Sequence, residues 1–303
     1  MRRLAIIAFK LALALAVVAG IGPLAISFRE PLDGGALPPD VPGRMLDVGG
    51  RRVHVVEKGD GPPLVLIHGF GGSTGDFEEF VMEPLARSHR VIAVDLFGYG
   101  WSERRDNFDY GWTLWSEQVA GTLDALGVPR AAVLGHSMGG AVATVLAARH
   151  PDRVDRLILA DAFYPPLPDE VTWVFRALRT PIVGELALGA VADASAPGFS
   201  AAHHERAVAW YRIRGTRRGM LRYVRNPARV PELAAAYPAV TAPTLVLHGT
   251  ADLFVRYAAM QRAVPAIRTA RVVTLDGGGH FPFRDDPERL VRETEAFLGG
   301  VPN

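Results

Sequence analysis

From residue 45 onward, short apolar runs alternate with amphipathic stretches. Residues 64–67, 91–94, 131–134 and 157–160 are continuous apolar runs, the pattern of strands buried on both faces of a parallel sheet. Residues 244–247 and 271–275 repeat it late in the chain. Residues 51–57 alternate polar and apolar behind Gly49 and Gly50, which predicts the return strand of a hairpin begun near Met45. Helical spacing falls between these runs, over 77–88, 113–126, 138–150, 257–264 and 287–298. The last stretch carries Asp286 as its N-cap and Pro287 at its first helical position. Strand and helix in alternation predict an α/β fold with a mainly parallel sheet. Over 163–237 the alternation stops, and 173–178 and 201–213 read as helices. An insertion of about 75 residues is too long for a loop and predicts a helical cap between two sheet strands.

Composition narrows the class. With 33 Lys+Arg against 32 Asp+Glu and 49% hydrophobic residues, the chain is neither a disordered acidic tail nor a polycation. The absence of cysteine excludes disulfides, thiolate-held zinc, iron–sulfur clusters and thiol catalysis. The N-terminus differs from the rest. Arg2, Arg3 and Lys10 precede an uncharged run over 11–28, about the minimum for a membrane-spanning helix. The positive flank predicts an anchor within residues 1–28, its apolar part covering 4–28, with the body of the chain on the extracytoplasmic side. A signal peptide cleaved near Ala19 is the other reading. Residues 29–44, with four prolines, read as a stiff tether. The catalytic body is then expected over 45–162 and 238–303, with the cap at 163–237.

The chemistry is carried by Gly135-His136-Ser137-Met138-Gly139, a G-x-S-x-G run with an apolar strand before it and a helix after it. A serine in a tight strand-to-helix turn needs neighbours without bulk, and the helix behind it aims N–H groups at developing negative charge. Such a nucleophile needs a base and an orienting acid. His280 closes a glycine-rich loop beyond the last apolar strand, and Asp252 follows the strand over 244–247. Asp161, at the end of another strand, is the rival acid; His248 reads as structural. The chain order Ser137, Asp252, His280 fits nucleophile, acid and base. Oxyanion donors are expected from the backbone N–H groups of Phe70, in the loop after strand 64–67, and Met138. Phe70, His136 and Phe281 are the expected substrate contacts. No histidine or acidic spacing predicts a metal site.

The segments 68–72, 95–102, 135–139, 249–252 and 279–280, in this order over roughly 45–300, resemble the α/β-hydrolase superfamily. The resemblance implies an eight-stranded, mostly parallel sheet flanked by helices, with an inserted helical cap, and carries the triad roles onto Ser137, Asp252 and His280. Capped epoxide hydrolases and haloalkane dehalogenases use an aspartate where Ser137 stands. Carbon–carbon bond hydrolases of aromatic degradation use serine and usually place Trp where Phe281 stands. Membrane-anchored monoacylglycerol lipases and esterases fit the N-terminal segment. The expectation is therefore a lipase-like serine esterase cleaving lipophilic esters through an acyl-enzyme. Carbon–carbon or amide hydrolysis by the same triad, and a non-enzymatic ligand-binding protein, are the alternatives. No cofactor and no nucleic-acid partner is implied. Residues 171–230 hold ten arginines against Glu185, Asp193 and Glu205, interleaved with Trp173, Phe175, Trp210 and Tyr211. This predicts a cap resting on anionic lipid headgroups with aromatics at the interface.

Overall fold

Eight strands make one sheet: β1 (Arg44–Asp47), β2 (Arg52–Lys58), β3 (Pro63–Ile67), β4 (Arg90–Val94), β5 (Ala131–His136), β6 (Val154–Ala160), β7 (Thr244–Gly249) and β8 (Ala270–Leu275). The computed structural model that shows this describes residues 37–165, 199–226 and 229–300. Strand order is β1-β2-β4-β3-β5-β6-β7-β8. The β1–β2 hairpin and the β2–β4 pair are antiparallel, and every other pairing is parallel. All residues of β5 and β7 are buried, which is why these strands read as unbroken apolar runs.

The connections are helical: α1 (Gly75–Glu78), α2 (Met82–Leu85), α3 (Trp112–Ala125), α4 (Met138–Arg149), α5 (Ala201–Tyr211), α6 (Thr216–Arg225), α7 (Arg229–Ala236), α8 (Tyr257–Ala263), α9 (Pro282–Asp285) and α10 (Pro287–Leu298). They close a core on each face of the sheet. Trp112, Trp115 and Val119 of α3 and Val142 and Leu146 of α4 fill one. Phe77 of α1, Met82 of α2, Phe283 of α9 and Leu290 of α10 fill the other. The start of α10 is as predicted: Pro287 opens it, and the Asp286 carboxylate accepts from the Arg289 N–H at 3.1 Å. The helix expected over 77–88 is instead the pair α1 and α2. Proline is tolerated in a helix's first turn, and the chain restarts at Met82 so that Pro84 lies there. Helices α6 and α7 were hidden by the arginine run. Thr216, Gly219, Met220, Tyr223 and Val224 nevertheless bury one face of α6 at helical spacing.

Among the described residues no helix is long and apolar enough to cross a membrane. The anchor expected within 1–28, residues 29–36 of the tether and the helix expected over 173–178 lie outside the described residues.

One buried pair fixes the loops at the carboxyl edge of the sheet. Asp95, just past β4, is fully buried. Its Oδ1 accepts the Thr74 N–H at 2.7 Å, and its Oδ2 accepts the Trp101 N–H at 2.8 Å. The same Oδ2 lies 2.7 Å from His54 Nδ1, while His54 Nε2 lies 2.8 Å from the Pro42 carbonyl oxygen. Both ring nitrogens face acceptors, so both must donate, and the ring is an imidazolium. Burial alone pushes His54 down, but the Asp95 charge and these hydrogen bonds hold it above its ordinary value. Burial likewise works to raise Asp95, and His54 keeps it below the usual carboxylate range.

Asp95→Ala strands a buried imidazolium and two N–H groups, and should cost about 3–5 kcal/mol of unfolding free energy, measured by urea denaturation. His54 is raised in the folded state, so its contribution is complete below its unfolded pKa and is lost as pH rises through the folded value. The gap between wild type and variant should therefore narrow as pH rises above the ordinary histidine value of 6.5.

Candidate active site

Strand β5 runs into α4 through a single residue, Ser137, at φ 50 and ψ −117. A serine in this region stores about 1–3 kcal/mol of backbone strain. The glycines around it allow the turn. A Cβ on Gly135 would lie 2.3 Å from the Gly139 carbonyl oxygen, and one on Gly139 would lie 2.2 Å from that of Ile67. Helix α4 starts at Met138, so its first N–H groups lack intrahelical acceptors and its positive end faces the serine. The glycine loop after β3 abuts the same point, since a Cβ on Gly69 would sit 3.2 Å from Ser137 Cβ.

His280 follows β8 and is nearly buried. Its Nε2 lies 3.0 Å from Ser137 Oγ and its Nδ1 2.7 Å from Asp252 Oδ2. The other Asp252 oxygen accepts the N–H groups of Phe254 at 2.7 Å and Val255 at 2.9 Å. Burial works to raise the Asp252 carboxyl, but His280 and the loop N–H groups hold it below its ordinary value. The strand-end acids are thus distinguished by geometry. Asp252 meets the histidine, while Asp161 accepts the Gly249 N–H at 2.7 Å. His248 Nε2 donates to the Val255 carbonyl at 2.9 Å, the structural role read for it. One oxygen or nitrogen from each of Asp161, His248 and Asp252 lies within 4.8 Å of the others, a convergence that spacing along the chain did not reveal. Asp252 is already committed to His280 and two N–H groups, so the trio is not an open set of metal ligands.

The remaining expected residues gather around this chain. His136 is buried, and its Nε2 donates to the His280 carbonyl at 2.7 Å. Burial and the neighbouring His280 push it down to about 3, so it is a neutral brace. Phe281 packs against both rings, at 5.1 Å from His280 and 5.7 Å from His136. Phe70 stands between Tyr99 at 6.2 Å and Tyr223 of α6 at 5.9 Å, joining the glycine loop to the inserted helices. Met138 Sδ accepts from the Tyr99 hydroxyl at 3.6 Å. Two neighbours were missed. Phe254 lies 5.0 Å from the His280 ring and is 45% exposed; its place two residues past Asp252 was the available signal. Tyr211 of α5 donates its hydroxyl to the Gly71 carbonyl at 2.9 Å, and nothing local in the sequence marks that contact.

A family model described as alpha/beta hydrolase fold matches residues 62–183. A 2-hydroxymuconate semialdehyde hydrolase of Pseudomonas putida is 30% identical over 287 residues, covering 84% of this chain and 94% of that one. A second, from Pseudomonas sp. (strain CF600), is 42% identical over 119 residues, 39% of this chain and 42% of that one. A crystal structure of a membrane phospholipase A aligns over all of both chains, with 26% identity and a TM-score of 0.67.

These findings correct the expected membrane-anchored lipase with an extracytoplasmic catalytic domain. The curated relatives just described are semialdehyde hydrolases, and no described helix is long and apolar enough to cross a membrane. The expected lipid-facing cap is corrected too, for a physical reason. Trp210 and Tyr211 are buried rather than presented at an interface, and Trp173 and Phe175 lie outside the described residues. Several cap arginines have intramolecular partners: Arg218 pairs with Asp106 at 2.9 Å, Arg206 reaches Glu78 at 3.9 Å, and Arg229 lies over the Tyr223 ring at 4.8 Å.

Ser137→Gly should relieve the elbow and raise the unfolding free energy by about 1 kcal/mol while removing the hydroxyl; thermal denaturation against wild type measures it. The strained serine between β5 and α4, the strand order and the near full-length likeness to the P. putida enzyme lead to one conclusion: this chain belongs to the α/β-hydrolase fold family.

Proposed function

We propose that the protein hydrolyses a carbon–carbon bond next to a carbonyl, in a small conjugated acid of the 2-hydroxymuconate semialdehyde class. The observation that carries this reading is the likeness to the P. putida enzyme over 94% of that enzyme's length. The geometry supports the chemistry. Ser137 Oγ adds to the carbonyl carbon, and its proton passes to His280 Nε2, 3.0 Å away. Asp252 holds the ring through Nδ1 and stabilises the imidazolium. Charge on the former carbonyl oxygen is met by the N–H groups of Phe70 and Met138, worth about 3–4 kcal/mol for each donor lost. The carbon–carbon bond then breaks. The substrate breaks as its keto tautomer, in which the 2-hydroxyl proton has moved to the carbon next to the aldehyde. The electron pair then runs through the conjugated enone to the C2 oxygen, which takes the proton from His280. Water, deprotonated by His280, releases the acyl group as a carboxylic acid, so one water is consumed for each bond broken. Phe70, His136 and Phe281 are the proposed substrate-side residues, and the helices between β6 and β7 are the proposed cap.

Carboxylic ester cleavage is the second reading, favoured by the phospholipase neighbour that aligns over both whole chains. It uses the same steps with an alkoxide as the leaving group.

A parallel assay of 2-hydroxymuconate semialdehyde and a series of p-nitrophenyl esters separates the two. The semialdehyde should be consumed with release of formate, and Ser137→Ala should lower kcat on the order of 10⁴-fold or more. Turnover of esters alone would hand the site to the second reading.

A further inference from the structure

Asp161 is the buried acid that the hydrolytic steps above leave unused. It stands at the end of β6 with φ 42, one of two non-glycine residues among those described with positive φ. It is fully buried. Its Oδ1 accepts the Gly249 N–H, but no donor reaches Oδ2. Two other groups face it. His248, also fully buried, places Nδ1 3.6 Å from Asp161 Oδ1. Because His248 Nε2 gives its proton to the Val255 carbonyl, Nδ1 of the neutral ring carries a lone pair and no proton. That nitrogen has no hydrogen-bond partner either. The third group is the Asp252 carboxylate. Two buried carboxylates and a lone pair cannot stand together without a proton or a cation between them.

We propose that Asp161 is a protonated carboxylic acid whose Oδ2–H hydrogen-bonds the Asp252 carboxylate, making the acid end of the triad a two-carboxyl, one-proton unit that positions Asp252 for His280. The inference rests on the triad reading given under Proposed function. Burial, then the Asp252 charge, push the Asp161 carboxyl well above the carboxylate range. The titratable groups around it are Asp252 and His248 on β7 and its loop, Asp285 on α9, the buried Tyr164 hydroxyl after β6, and His280 beyond Asp252. The Gly249 N–H favours the ionised form of Asp161, but burial and the Asp252 charge outweigh it. Asp161 is a positioning residue: it touches neither Ser137 nor His280 through a hydrogen bond but orders the carboxylate that does.

The test compares the full-length wild type with Asp161→Asn and Asp161→Leu. At neutral pH, the infrared difference between wild type and Asp161→Asn should contain the carbonyl band of a protonated carboxyl. This readout is independent of activity, so it stands even if the substrate reading fails. With the substrate that is turned over, Asp161→Asn, whose amide still donates, should keep kcat within about twofold and leave the acid limb of kcat/KM in place. Asp161→Leu, of similar bulk with no donor, should lower kcat about tenfold at unchanged KM. Three results would overturn the proposal. One is a missing protonated-carboxyl band. Another is an acid limb that moves to lower pH in Asp161→Asn, because only an ionised Asp161 would have been supporting the His280 charge. The last is a stoichiometric divalent metal in wild type that is lost in Asp161→Asn, which would make the trio a cation site.

Discussion

Ser137 sits where an L-residue resists sitting, and the packing around it must hold it there. The surroundings do this by close approach rather than by bulk. Ile67 and Gly139 meet backbone to backbone, and Gly135 meets Gly139 in the same way. That contact requires β3 and β5 to be parallel neighbours, as they are. It also requires the glycine loop after β3 to lie flat against the elbow. Asp95 supplies this by holding Thr74 from below while it is itself held by His54. The glycine loop after β3 and Ser137 are therefore set by one chain of buried contacts, running from the antiparallel edge of the sheet to its centre.

Asp252 and His280 reach Ser137 from the other half of the sheet. Strands β5 to β8 are successive parallel neighbours, so their carboxyl ends present Ser137, Asp161, Asp252 and His280 in order along one edge, where open α/β sheets bind ligands. His136 closes the gap between elbow and His280 by gripping the His280 carbonyl, and its neutrality matters. A charged imidazole there would oppose the imidazolium that the proposed reaction makes of His280. Burial keeps that competition away at any ordinary pH.

The sheet was legible because burial on both faces leaves an unmistakable run of apolar residues. Every strand was read within a few positions, and the elbow was read from glycines that have no other reason to be spaced so. Other features depended on contacts between distant residues. Chain order already favoured Asp252 over Asp161, but which strand-end loop bends toward His280 is visible only in the fold. The arginines of residues 201–230 read as a lipid-facing surface because charge pattern carries no information about partners. Their pairing with Asp106 and Glu78 is visible only once the helices are laid on the sheet. Helix α6 stayed hidden for the same reason, its buried face diluted by the charges between.

The joints between the inserted helices and the sheet body differ in kind. Tyr211 of α5 ends on the Gly71 carbonyl, and the Trp112 indole of α3 ends on the Arg229 carbonyl. Arg104 instead reaches the Thr216 hydroxyl, a side chain that can be lost. A main-chain acceptor survives any substitution at its own position. With Tyr211 kept, the helical segment can thus drift in sequence, altering whatever it presents to a bound molecule, without coming unseated from the sheet body beneath. For a lineage whose members act on different bonds, such seams separate the part that evolution rewrites from the part it must copy.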